Sequence, residues 1–110
     1  MSRAAAILAT RKVALHALTS GDYRQRTDGA LESYGRHCAR GAISMAVRGD
    51  PFSSVNIIFG DLGLTAMQAD HAWIRLDYYN DVRKEQFPVI ARRLAKYFRA
   101  CDRYNAERVA

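Results

Sequence analysis

The chain has 110 residues, 49% of them apolar and 25% charged, with a formal net charge of +6. That length supports one domain with a core of its own, and the composition excludes a disordered or low-complexity chain. No apolar run approaches the roughly 18 residues a membrane span needs. The Ala-rich opening is interrupted by Thr10, Arg11 and Lys12 too soon for a signal-peptide core, so the sequence reads as cytoplasmic.

Ser2 is a suitable N-cap, and Arg3 to Thr19 reads as a first helix rich in alanine, the best helix former. Ala4, Ile7, Leu8, Leu15 and Leu18 share a broad face, from whose middle Arg11 projects. A basic side chain there must either snorkel past the edge of the core or find a carboxylate or carbonyl. Ser20-Gly21-Asp22 ends the helix. Asp22 to Gly35 has no sustained period and reads as a loop, with a turn at Thr27-Asp28-Gly29 and a short helical turn near Leu31. Its Tyr23, Arg24, Arg26 and Tyr34 are of the types that stack on bases or grip phosphate. They are also ordinary loop composition, which is the reading preferred.

Arg36 to Arg48 reads as the second helix, with Cys38, Ala42, Met45 and Ala46 on one face and Gly41 placed to admit a neighbouring helix closely. Gly49 is its stop. Asp50-Pro51 has the form of a cap and first turn for a third helix carrying Phe52, Val55, Ile58, Phe59 and Leu62. Thr65 and Gln68 have the spacing of a capping box. The fourth helix then runs to about Tyr78, with Ala66, Ala69, Trp73 and Leu76 on one face and Met67, Ile74 and Tyr78 opposite. Apolar residues on two sides suit a central helix or an oligomer contact.

The last helix is the plainest. Between Asn80 and Tyr104, Phe87, Ile90, Leu94, Tyr97, Phe98 and Cys101 recur at helical spacing, with Pro88 in the first turn. Arg92, Lys96, Arg99 and Arg103 recur on another face. From Val82 onward there are eight Lys/Arg and only three acids, nearly the whole charge excess of the chain. The fold expected is all-α: a compact bundle of about five helices in a single domain over residues 1–105, the C-terminal helix longest, with residues 106–110 as a frayed tail.

Catalytic and metal signals are thin. Cys38 and Cys101 form no C-x-x-C pair and have no zinc spacing with His16, His37 or His71. His37 and Cys38 are sequence neighbours, so on one helix they point about 100° apart, poor geometry for a base and its nucleophile. Two reduced, buried thiols are the default. Gly60 to Gly63 lacks the spacing and the lysine of a phosphate loop, and Asn80-Asp81 is explained by an Asx turn capping the last helix. No cofactor, metal or catalytic residue is implied. The third and fourth helices have helix-turn-helix spacing, but Trp73, Ile74, Tyr78 and Tyr79 do not read bases.

Three features together resemble a family of small bacterial and phage-borne helical proteins of unknown function: the Ala-rich opening helix, Cys38-Ala-Arg-Gly-Ala-Ile43, and Tyr78-Tyr-Asn-Asp81 ahead of an amphipathic helix. The resemblance covers roughly Ala4 to Phe98. It departs in the first connection, where Asp22 to Arg26 replaces a common tryptophan and glutamine. It implies a helical domain and a phage or mobile-element accessory role, including inhibition of a host defence system. The residues themselves point to a non-enzymatic binding or regulatory protein contacting a protein or nucleic acid through Arg92, Lys96, Arg99 and Arg103. Alternatives are a small enzyme using Cys38 and a homo-oligomer formed through the Trp73 helix.

Overall fold

The computed structural model describes residues 2–109 apart from Leu31, Tyr34, residues 53–57 and Phe59. The chain is mostly helical. In order come α1 (Arg3–Ala17), three two-residue strands β1 (Arg24–Gln25), β2 (Glu32–Ser33) and β3 (Arg36–His37), α2 (Ala39–Arg48), α3 (Ala66–Asp77), a π-helical turn (Tyr78–Val82) and α4 (Phe87–Val109). Four α-helices thus stand among the described residues where the sequence predicts five. The missing one, opened by Asp50-Pro51, falls mostly outside the described residues. Of its expected apolar positions, Ile58 and Leu62 are buried and Phe52 is exposed.

The helix ends follow local chemistry. Ser2 Oγ accepts from Ala5 N–H at 3.1 Å, Gly49 closes α2 at φ 72°, and Thr65 and Gln68 exchange both capping-box hydrogen bonds, at 3.2 and 3.0 Å. α1 buries a narrower strip than its composition suggests. Arg11, Ala14, Ala17 and Leu18 are buried, while Ala4 and Leu8 face solvent. α2 packs on α1, and the buried residues of the two helices include the small Ala14 and Ala17 of α1 and Gly41 and Ala42 of α2; Met45, expected on the same face as Ala42, is exposed. Across the molecule lies α4, the longest element at 23 residues. Its stripe of Phe87, Ile90, Leu94, Phe98 and Cys101 is buried as the spacing predicts, with Tyr97 at the margin. The helix continues to Val109, through residues where the sequence suggests a frayed tail.

Arg11 answers the question its position raises. It is buried, its Nε donates to Leu62 O at 2.7 Å, and Nη1 and Nη2 donate to the two Asp102 oxygens at 2.7 and 2.9 Å. The guanidinium carbon also sits 4.7 Å from the Phe98 ring centroid. α1 is thereby fastened to α4 and to the chain before α3. Gly63, beside Leu62, has φ +70°, and a Cβ there would meet Ile7 Cγ2 at 2.7 Å, so any larger residue is strained and must displace Ile7.

The all-helical expectation fails between α1 and α2. There the strands form a small sheet of order β1-β3-β2, β1 parallel and β2 antiparallel to β3. The extended backbone at Arg36 and His37 delays α2 by three residues, so the helix begins at Ala39 with Cys38 as its N-cap. The sheet is held from outside by Asn80, which is wholly buried in the π turn. Its Oδ1 accepts from Gln25 Nε2 at 2.9 Å and from Ala39 N–H at 3.1 Å. Its Nδ2 donates to Arg26 O and to Asp81 Oδ1, both at 2.7 Å. Asn80 therefore caps α2 and pins β1; it does not cap the last helix, as its place before α4 suggests.

Candidate partner-binding surface

Arg92, Lys96, Arg99 and Arg103 are all exposed and lie on one face of α4. At 1.5 Å per residue they span about 16 Å. Two carboxylates near this helix are engaged elsewhere. Asp102 is held by Arg11. Glu85 takes Arg93 bidentately, at 2.8 and 2.7 Å, with Arg83 at 3.8 Å. These arginine contacts hold the Glu85 carboxyl below its ordinary range. Arg93, although a neighbour in sequence, belongs to a different constellation: it pairs with Glu85 and lies 4.6 Å from the Tyr79 ring centroid. Among the described residues, no carboxylate is within ion-pairing distance of the four stripe residues.

Beside the stripe, α3 and the C-terminal half of α4 diverge into an open groove of about 840 Å³. The helices run antiparallel here. Gln68, at the start of α3, meets Asn105 at 3.0 Å, while Arg75 lies 5.1 Å from the Tyr97 ring centroid. One rim is Met67, His71 and Arg75; the other is Ala100, Tyr104 and Arg108. Each set is spaced four residues apart, which aligns its members along one edge of a helix. All six are exposed. The polar floor is closed on itself, because Tyr97 Oη donates to Gln68 O at 2.7 Å while the Gln68 side chain bonds Asn105. Burial pushes the Tyr97 phenol up to about 12. Sequence reasoning missed this groove. It placed Met67 on the outer face of α3, but which part of α4 lies opposite depends on the packing of two distant segments.

The Trp73 indole is buried in the core and so contributes no contact surface itself. On the outer face of the same helix Met67 and Ile74 are 69% and 66% exposed. Cys38 is buried at 1% exposure, and its Sγ accepts from Gly41 N–H at 3.3 Å. Burial raises the thiol's pKa, outweighing the lowering by that bond. The sequence places Cys38 inside α2; the structure makes it the cap. His37 is turned against Tyr23, ring centroids 5.3 Å apart. The three histidines remain on separate elements, His16 on α1, His37 on β3 and His71 on α3. The loop residue Arg26 is paired with Asp28, and Tyr23 packs against the core; Tyr34 lies outside the described residues. No described helix is long and apolar enough to cross a membrane. No family model, curated protein or solved structure matches the chain.

Proposed function

We propose that the chain is a non-enzymatic binding and regulatory protein, and that Arg92, Lys96, Arg99 and Arg103 hold an acidic partner protein against α4. The observation that carries this reading is a contrast around α4. Asp102 and Glu85 are committed to Arg11 and Arg93, while the four stripe cations are exposed and have no ion-pair partner among the described residues. Such a surface raises encounter rates with a complementary one. A protein is favoured over nucleic acid because the exposed Met67, an apolar side chain that serves no base stacking, lies beside the stripe together with Tyr104, a combination enriched in protein interfaces. The non-enzymatic part is supported by the buried, raised thiol of Cys38. An accessory role in a phage or mobile element, including inhibition of a host defence, is supported only by the resemblance carried by Cys38 to Ile43 and Tyr78 to Asp81.

The test compares wild type with Arg92→Glu/Arg99→Glu against a poly-glutamate peptide, duplex DNA and RNA at about 50 mM salt, where charge contacts are strongest. The expected result is peptide binding that weakens with salt and falls by about a hundredfold in the variant, with the melting temperature nearly unchanged because exposed charges add little stability. Tighter binding of DNA or RNA, lost in the same variant, would transfer the four residues to phosphate contact. Unfolding of the variant would mean that the stripe is paired within an assembly.

A further inference from the structure

The groove between α3 and α4 has features that the basic stripe does not account for. Two of its charged side chains are guanidiniums, Arg75 and Arg108, and no aspartate or glutamate lines it. The acids adjoining the lining in sequence, Asp70, Asp102 and Glu107, belong to neither rim, and Asp102 is held by Arg11. Because α3 and α4 run antiparallel, Arg75 and Arg108 stand at opposite ends. Each lies against a tyrosine, Arg75 on Tyr97 and Arg108 on Tyr104, the latter also donating to Tyr104 Oη at 3.1 Å. The rest of the rims is Met67, His71, Ala100 and Tyr104, and the floor's Tyr97, Gln68 and Asn105 are already engaged in hydrogen bonds with one another. An occupant therefore meets a largely apolar lining, with the His71 imidazole partway along one rim, and a cation at each end.

We propose that this groove takes an amphipathic helix from a partner protein, apolar along the face that enters and carrying a carboxylate toward each end. The shape is that of a two-helix cleft awaiting a third helix. Each rim spans nine residues, a rise of about 12 Å, or rather more than two helical turns. A carboxylate at each end of such a segment reaches Arg75 and Arg108, whose planar forks favour bidentate pairing. A second copy of the chain is the poorer occupant, since its net charge of +6 opposes the same two cations. The inference rests on the reading of the chain as a binder of acidic protein, but it uses a different set of residues, so the two fail separately.

The test is selection of a randomised library of peptides about 14 residues long against the intact chain, long enough to overhang both ends of the groove. Enriched peptides are then measured by fluorescence anisotropy and by chemical-shift footprinting. The expected peptides carry acids flanking apolar residues at helical spacing, become helical on binding, and perturb Met67, His71 and Tyr104. Arg75→Glu/Arg108→Glu should weaken them about tenfold or more, equivalent to about 1.4 kcal/mol or more. Met67→Glu, a second route to the same loss, guards against an indirect effect of charge reversal. Arg92→Glu/Arg99→Glu should change them less than about threefold, the smaller loss expected of charges outside the contact. The proposal is overturned by an empty selection, by peptides without the acidic ends, or by a footprint elsewhere. It is overturned equally if the stripe variant abolishes binding and the groove variants do not, or if light scattering shows a dimer that Met67→Glu dissolves.

Discussion

Asn80 shows how much one side chain can organise. Its amide makes four hydrogen bonds, two accepted and two donated, which satisfies both lone-pair sites and both N–H groups. Asn80→Ala would strand the Ala39 N–H and the Arg26 carbonyl, while Gln25 Nε2 would keep its bond to Glu85 O at 2.7 Å. Stranded buried groups cost about 1–3 kcal/mol each, so a loss of about 2 kcal/mol or more is expected in urea unfolding. Asn80→Asp should be worse still at neutral pH. It retains the acceptors, removes both donors and sets a buried carboxylate beside Asp81. A loss below about 1 kcal/mol for Asn80→Ala would mean that water replaces the amide and the sheet stands without it. The residue itself is conspicuous in the sequence, but its role is not. Its partners Gln25, Arg26 and Ala39 lie 55, 54 and 41 positions away, and no local pattern encodes them. An Asx turn was the natural local reading, and the long-range contacts displaced it.

At the scale of elements, legibility tracks length. α4 was legible because its apolar residues recur over several turns, and α3 because Thr65 and Gln68 announce its start. The strands were not, since two residues carry no period, and their pairing brings Arg24 beside Arg36 from across a loop. The start of α2 was misplaced for a related reason. A thiol is not among the preferred capping side chains, so Cys38 reads more naturally as interior. The stripe was visible as a pattern; its freedom from partners was not, because Asp102 neighbours it in sequence and only the tertiary structure assigns that carboxylate to Arg11. The Arg11–Asp102 pair also gives a prediction. Arg11 is almost wholly buried while the Asp102 side chain is 54% exposed. Removing Asp102 lets water reach one side of the guanidinium, which screens the loss; removing Arg11 also strips Leu62 O and the Phe98 face of their contacts. Asp102→Ala is therefore expected to cost about 1–2 kcal/mol, Arg11→Ala about 2–4 kcal/mol, and the double variant little more than Arg11→Ala alone. Denaturant melts of the four proteins decide it, and strict additivity would show that the two side chains do not support one another. Arg11→Lys should not restore stability, because an ammonium cannot reach both carboxylate oxygens and Leu62 O together.

For the whole molecule, alkali provides the sharpest discrimination between surface charge and buried chemistry. The chain is strongly basic, with an isoelectric point near 9.7. Raising the pH toward that value reduces net positive charge and self-repulsion, which favours the compact state. Three groups act in the opposite sense. Burial raises Cys38 and Cys101 above the ordinary thiol value of 9.0, and takes Tyr97 from 10.0 to about 12. A group whose folded pKa lies above its unfolded one contributes stability that is complete below the unfolded value. That contribution disappears as pH rises through the folded value, because the unfolded chain releases its proton first. Stability should therefore hold up to about pH 9 and decline from there, most steeply between pH 10 and 12 where Tyr97 titrates. Urea midpoints across that range, with tyrosinate absorbance followed in parallel, measure both halves of the argument. In Tyr97→Phe the decline above pH 10 should be shallower, although the variant starts lower for want of the bond to Gln68 O. A wild-type midpoint that stays level to pH 11 would mean that water reaches Tyr97 freely. In that event the floor of the groove is open to solvent, and a helix docked there would have to displace that water as well as make its contacts.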